Sequence, residues 1–86
     1  MYICKVQGKC VSTMKNPRLV GVSLLTMQRI NKAGNSTGEI IVAADMIGCS
    51  VGEVVIVIKG YCASRVMGPD CPCDMAVVGI VDTFEV

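Results

Sequence analysis

The hydrophobic residues of this chain form short, dense runs. Residues 54–58 are five consecutive aliphatic residues, and residues 40–44 and 75–81 have the same character. A strand with one wet face alternates apolar and polar residues, whereas an unbroken β-branched run is typical of a strand covered on both faces. Since a small β-domain has a single interior, we expect the second face of these strands to contact another chain.

Turn residues between the apolar runs predict five strands and one short helix. The predicted strands span residues 2–12, 19–30, 39–44, 53–59 and 75–82. Gly8 within the first strand indicates a bend or a bulge. Residues 61–67 are predicted to form one or two helical turns, and two prolines and a glycine make residues 68–74 irregular. This order predicts an all-β fold: a small OB-like five-stranded barrel with a helical insert after strand four.

The composition favours self-association. Eighty-six residues suffice for one domain, residues 1–86, and a chain this short buries only a small core. Yet 52% of the residues are hydrophobic and only 3% are aromatic, so the excess is aliphatic. Apolar patches left on the surface usually mark association sites. We therefore expect an obligate homo-oligomer, and the alternative is a monomer with an apolar surface.

Charge and aromatic content argue against nucleic-acid binding. Eight Lys and Arg residues against seven Asp and Glu residues give a net charge of +1, without a basic run. Capture of nucleic acid needs clustered positive charge, and single-strand binding also needs aromatic platforms. The aromatic residues Tyr2, Tyr61 and Phe84 are scattered along the chain. We expect no nucleic-acid partner.

The apolar runs are too short to cross a membrane. Each is far below the roughly 20 residues of a membrane-spanning helix. The N-terminus, which begins Met-Tyr-Ile-Cys-Lys, lacks the basic segment and apolar block of a secretion signal. We expect a cytoplasmic protein without a membrane partner.

Six cysteines require a choice between disulfides, metal and free thiols. They are Cys4, Cys10, Cys49, Cys62, Cys71 and Cys73. In a secreted chain of this size they would indicate a disulfide framework, but without an export signal we expect free thiols. Cys71 and Cys73, with Cys62 and Cys49, could hold zinc or an iron–sulfur cluster. Structural zinc prefers two cysteine pairs, each spaced by two to four residues, and that pattern is absent. We expect no metal and no cofactor.

Catalytic groups are poorly represented. The chain has no histidine, so no serine or cysteine has the usual general base. Asp45 and Glu53 could form a catalytic carboxylate pair. The simpler interpretation is that Asp45 binds backbone amides of the following turn and that Glu53 is a charge at a strand start. We expect no enzymatic activity.

The turn between the third and fourth strands contains Gly48 and Gly52. Glycines in this spacing could cradle a phosphate, but no Gly-Lys-Ser/Thr sequence follows. Glycines also allow a close approach of backbones around a symmetry axis. We predict that this turn lines a central pore, and the alternative is an ordinary peripheral turn. The pore-lining candidates are Gly48, Cys49, Ser50, Val51 and Gly52.

Contacts between subunits are predicted on the apolar strands and the helical insert. Because both faces of these strands are apolar, the sequence does not decide which face is outward. The candidate interface residues are Val55, Val57, Val77, Val81, Ser64 and Arg65.

Several motifs along almost the whole chain occur in the order typical of one known family. They are Asn16-Pro17 before Leu19 and Gly21, Gly38-Glu39, Val42-Ala43-Ala44-Asp45, Gly48-x-x-x-Gly52-Glu53-Val54-Val55, Gly60 with Ala63-Ser64-Arg65, and Ala76-x-x-x-Ile80-Val81-Asp82. With these motifs the chain resembles the EutN/CcmL family of bacterial microcompartment vertex proteins.

The resemblance implies a structural role. It implies an OB-like barrel that assembles into a homopentamer and caps the vertices of a polyhedral shell, whose facets are tiled by hexameric shell proteins. It also implies a cytoplasmic location within that shell. The alternative from a different class is a standalone OB-like module that binds nucleic acid or a small anion.

Overall fold

A computed structural model describes residues 1–10, 16–19, 21–67 and 73–82 of the chain. The side chains of Tyr61 and Ser64 are not described. Predictions for residues 11–12, 68–72 and 83–86, which include Cys71 and Phe84, lie outside the described residues. The elements are β1 (Tyr2–Lys9), a 3₁₀ turn (Pro17–Leu19), β2 (Ser23–Ile30), β3 (Ser36–Asp45), β4 (Val54–Lys59), α1 (Tyr61–Met67) and β5 (Met75–Ile80).

The five strands form a closed barrel in the order β1-β2-β3-β5-β4. Four strand pairs are antiparallel, and β3 meets β5 in parallel at Ala44 and Ala76. The helix α1 follows the fourth strand and packs on β4 and β5. The predicted OB-like barrel with a helical insert is therefore confirmed, and the helix bounds equal those predicted.

The predicted start of the second strand is wrong. Residues 17–19 form a 3₁₀ turn in which the Leu19 N–H donates to the Asn16 carbonyl at 2.9 Å. The Asn16 side chain also accepts the Arg18 N–H at 2.9 Å. Asn-Pro favours such a turn because the proline ring fixes φ and the asparagine side chain binds backbone amides. The residues after position 18 are mostly aliphatic, so the sequence pattern did not separate the turn from the start of the strand.

The β2–β3 hairpin is tighter than predicted. Asn31 closes it, since its side-chain oxygen accepts the N–H groups of Ala33 and Asn35 at 3.0 and 3.1 Å. The third strand therefore starts at Ser36, three residues before the predicted start. In the first strand the register with β2 shifts between Val6 and Gly8, which confirms the irregularity predicted at Gly8.

The barrel interior is filled by aliphatic and sulfur-containing side chains, which alternate with outward-facing residues along β1, β2 and β4. The largest fully buried ones are Leu25, Met27, Val6, Val55, Val57, Val77 and Cys4. Full burial of such a side chain stabilises the fold by about 2 kcal/mol. The interior thus uses one parity of β1, β2 and β4, whereas on β3 and β5 two adjacent residues are buried, Ala43 with Ala44 and Ala76 with Val77.

Candidate assembly surfaces

Three predicted interface residues lie inside the barrel. Val55 and Val57 are 0% exposed and Val77 is 1% exposed, and Val57 pairs directly with Val77 across β4 and β5. Side chains enclosed by their own chain cannot contact a neighbouring subunit. These three residues were therefore wrong as interface candidates. The residues of β4 that face away from the barrel interior are the better candidates.

The other predicted interface residues lie nearer the surface. Val81 is half-buried, and its N–H donates to the Val54 carbonyl at 2.8 Å. Arg65 is exposed on α1. Ser64 lies on the same helix. The structure brings Val81 beside β4 at one end of the barrel, whereas Arg65 belongs to the helix that follows the other end of that strand.

An apolar row crosses the outer wall of β1, β4 and β5. Ile3 pairs with Ile56, and Ile56 pairs with Gly79. Ile3 and Ile56 are half-buried, as are Val54 and Ile58 on the same face of β4. Strand register, which sequence periodicity could not supply, shows that this row lies on the second face of β4, and its contact with another chain stays a prediction.

The outer face of β3 exposes two further aliphatic side chains. Ile40 is 71% exposed and Val42 is 45% exposed. Their cross-strand neighbours on β2 are Gln28 and Thr26. Isolated exposed aliphatics are ordinary, but two on one face of one strand form a projecting apolar surface.

The loop after β3 is organised by Asp45, which is 6% exposed. Its carboxylate accepts the backbone N–H groups of Ile47 at 2.9 Å, Gly48 at 3.1 Å and Cys49 at 2.9 Å. The predicted role of Asp45 in binding turn amides is confirmed. Burial alone would raise the pKa of Asp45, but these amide hydrogen bonds outweigh it and lower the pKa below its usual value.

Glu53 completes the loop from its other end. Its side chain accepts the Ser50 N–H at 2.6 Å, and its own N–H donates to the Ser50 carbonyl at 3.2 Å. The Gly52 N–H donates to the Val6 carbonyl at 2.9 Å. Glu53 is therefore more than a charge at a strand start. With these amides engaged inside the chain, the loop is not built as a phosphate or anion cradle.

Four of the five pore-lining candidates are exposed and one is not. Gly48, Ser50, Val51 and Gly52 are exposed, and Val51 is the most prominent apolar side chain among them at 68%. Cys49 is buried, so its side chain does not point outward with the others, and together with Gly48, Ser50 and Val51 it lines a cavity of about 400 Å³ at this end of the barrel. Gly48 and Gly52 have φ values of 92° and 91°, so the turn itself requires glycine.

The thiols inside the barrel are poor nucleophiles. Burial raises the pKa of Cys4 to about 11. Burial and then the adjacent Asp45 charge raise the pKa of Cys49 to about 11, and the Cys49 thiol donates to Asp45 at 3.6 Å. Cys4, Cys10, Cys49 and Cys62 form no disulfide. Within the described ranges, no three Cys, Asp or Glu side chains come together as a metal site.

Tyr2 does not offer an open stacking platform. The Arg29 guanidinium lies over its ring at 4.2 Å from the centroid, and the same arginine approaches Glu39 at 3.7 Å. A base would have to displace Arg29 to stack there. In the part of the chain that the structure describes, α1 and the 3₁₀ turn are far shorter than a membrane-spanning helix.

The family model described as "Ethanolamine utilisation protein EutN/carboxysome" matches residues 1–82. The chain belongs to this family. Among curated EutN/CcmL proteins, the carboxysome shell vertex protein CcmL of Synechococcus elongatus is 45% identical, over 100% of this chain and 88% of that protein. The microcompartment shell vertex protein PduN of Salmonella typhimurium is 42% identical, over 99% of both chains.

A solved EutN/CcmL structure has the same barrel. The pentameric microcompartment shell protein GrpN of Rhodospirillum rubrum aligns with a TM-score of 0.91 and 42% identity, over 100% of this chain and 99% of that chain. The resemblance that the motifs indicated is confirmed, from the whole sequence and from the whole fold.

Proposed function

We propose that five copies of this chain form a ring that caps the vertices of a bacterial microcompartment shell. The observation that carries this proposal is the end-to-end match to a pentameric shell protein, at a TM-score of 0.91 over 99% of that protein. The exposed aliphatic side chains on the outer walls of β3 and β5 support it, because a ring has to bury surface on both sides of each subunit.

The role is structural and not catalytic. Asp45 and Glu53, the one carboxylate pair that the sequence suggested, are both occupied by backbone amides. The Cys4 and Cys49 thiols are protonated at neutral pH because burial raises the pKa of each to about 11. These features describe a rigid barrel whose polar groups stabilise its own loops.

The partners in this proposal are the same chain and the hexameric proteins of a microcompartment shell, and its location is that shell in the cytoplasm. A flat sheet of hexamers closes into a polyhedron only where fivefold units replace sixfold ones, so a fivefold ring supplies the corners. A standalone module for nucleic acid or a small anion has no comparable support, because Arg29 covers Tyr2 and the loop amides are engaged.

The loop of residues 48–52 is proposed to line the fivefold axis. Its exposed residues are small or aliphatic, namely Gly48, Ser50, Val51 and Gly52. A map of the assembled ring tests this placement directly. Density for the loop at the outer rim would contradict it and would leave the ring itself unaffected.

Co-expression with hexameric shell proteins tests the capping role. We expect closed polyhedral bodies by electron microscopy when this chain is present, and sheets or elongated open bodies when it is omitted. A matched control adds an unrelated small β-barrel at the same level. Closed bodies formed equally well without any vertex protein would contradict the proposal.

A further inference from the structure

Lys9 shares the inner face of the barrel, although simple alternation along β1 would place it outside. Val6 pairs with Met27, the register then shifts, and Lys9 pairs with Leu25. Residues that lie directly opposite each other on paired strands share a face, and Leu25 is 2% exposed in the interior. The bulge before Lys9 therefore turns this residue inward at the barrel mouth. Bulges are common at barrel rims, where they re-aim a side chain.

The cavity of about 400 Å³ at this end of the barrel is lined by Lys9. Its apolar floor consists of Val6, Leu25 and Cys49, which are all buried. Its rim includes Lys9 and Ser23, which are both exposed. An apolar cavity of this size with a few polar groups, at the mouth of a β-barrel, is typical of a small-molecule site.

The charge of Lys9 has no carboxylate partner in the part of the chain that the structure describes. The ion pair found there joins Arg29 and Glu39. Asp45 also lines the cavity, but three loop amides and the Cys49 thiol already donate to its carboxylate. A carboxylate has about four acceptor positions, so these donors occupy it fully. The Lys9 ammonium is therefore the charged group of the cavity that is left for a ligand.

These groups fit a small organic carboxylate. Its negative charge suits the Lys9 ammonium, and its hydrocarbon part suits the apolar floor. The hydroxyl groups of Ser23 and Ser50, which line the same cavity, are further donors for its oxygens. The Asp45 charge disfavours a doubly charged phosphate, and an ammonium ligand would find no open acceptor on Asp45.

We propose that this cavity binds a small organic carboxylate through the Lys9 ammonium. The loop amides take no part, because Asp45 and Glu53 hold them. Every group of the site belongs to one chain, so binding goes beyond the vertex role and does not depend on the ring. The site adds a ligand to a shell protein and does not make the chain a standalone binding module.

Titration of the isotope-labelled protein with butanoate, at constant pH and ionic strength, tests the site by amide NMR shifts. We expect saturable shifts at residues 8–9, 23–25 and 48–51, with a dissociation constant on the order of 1 mM for so small a ligand. 1-Butanol lacks the charge and butylammonium reverses it, so each should bind at least about tenfold more weakly. Butylammonium that shifts the same amides with equal affinity would contradict the carboxylate assignment.

Substitution of Lys9 tests its role in binding. Lys9→Met keeps an unbranched side chain and removes the charge, so it should weaken butanoate binding at least about tenfold. Lys9→Arg keeps the charge and should bind within about threefold of wild type. Lys5→Met is the matched control, because Lys5 carries the same charge on the outer face of β1, opposite Val54, and should leave binding unchanged. Far-UV circular dichroism should match wild type in each variant, since both lysines are exposed.

The outcomes separate this inference from the proposed function. Equal butanoate affinity of Lys9→Met and wild type would overturn the site, and so would a wild-type protein without saturable shifts at tens of millimolar butanoate. A loss in Lys5→Met as large as in Lys9→Met would show a general effect of surface charge and would overturn it as well. Each of these results leaves the vertex role standing, because the mass of the ring is measured independently.

Discussion

The carboxylate of Asp45 accepts the backbone N–H of Cys49 at 2.9 Å and also lies 3.6 Å from the Cys49 thiol. This contact closes the loop after β3 and turns the Cys49 side chain into the barrel. The same carboxylate holds the amides of Ile47 and Gly48. One buried acidic side chain therefore fixes the conformation of the loop that the sequence nominated as a pore lining.

Asp45→Asn should destabilise the fold by about 3 kcal/mol at neutral pH, because it replaces charge-assisted hydrogen bonds to one buried and two part-buried amides with weaker ones. Urea unfolding at fixed protein concentration measures this loss. The matched control is Glu39→Gln, which removes a carboxylate that is 53% exposed beside Arg29. We expect the control to change the unfolding free energy by less than about 0.5 kcal/mol, since exposed ion pairs contribute little.

The pH dependence of the unfolding free energy, compared between wild type and Asp45→Asn, tests whether the Asp45 charge causes the difference. The pKa of Asp45 is lower in the folded chain than its ordinary value of about 4, so the folded state binds fewer protons in this range. Its contribution is present above about pH 4 and is lost as the pH falls through the folded pKa. The stability gap between wild type and Asp45→Asn should therefore narrow in acid. A gap of constant size down to the acid limit of folding would contradict this account.

The buried thiols should resist alkylation. Because burial raises the pKa of Cys4 and Cys49 to about 11, their thiolate fraction at about pH 8 is on the order of 100-fold below that of a free cysteine. Iodoacetamide labelling of the native protein, mapped by peptide mass spectrometry, should modify the exposed Cys62 first. In denaturant all six cysteines should react. Native labelling of Cys4 as fast as Cys62 would contradict the burial of this thiol.

The two parities of β4 should respond differently to truncation. Val57→Ala removes two methyl groups from the closed interior and should cost about 2 kcal/mol of folding stability, with the ring mass of the folded protein unchanged. Ile56→Ala shortens a side chain of the outer row, so it should weaken the ring more than the fold. Comparison of unfolding curves with native masses distinguishes the two. A Val57→Ala protein that folds normally but no longer assembles would indicate that Val57 contacts a neighbouring subunit after all.

The number of strands and the helix could be predicted from this sequence, but which alternate residues of each strand face the barrel interior could not. Residues 54–58 are aliphatic at every position, so nothing in their pattern separates Val57, which is fully buried, from Ile56, which faces outward. The distinction comes from register, because pairing with β1 and β5 decides which parity closes around the core. The candidates Val55, Val57 and Val77 were wrong for this reason.

The loop was predicted more successfully because its signals are local. An aspartate followed by a glycine turn suits side-chain bonding to nearby amides, and Asp45 does this with the three amides that follow Met46. The capping by Glu53 was missed, although its position three residues after Ser50 allows such a bond.

The mass of the wild-type assembly tests the account most directly. Sedimentation equilibrium of the purified protein, confirmed by native mass spectrometry, should give about 45 kDa, which corresponds to five chains of 9.1 kDa, and the value should be stable over micromolar concentrations. A six-chain species, or single 9.1 kDa chains throughout that range, would contradict the fivefold vertex role.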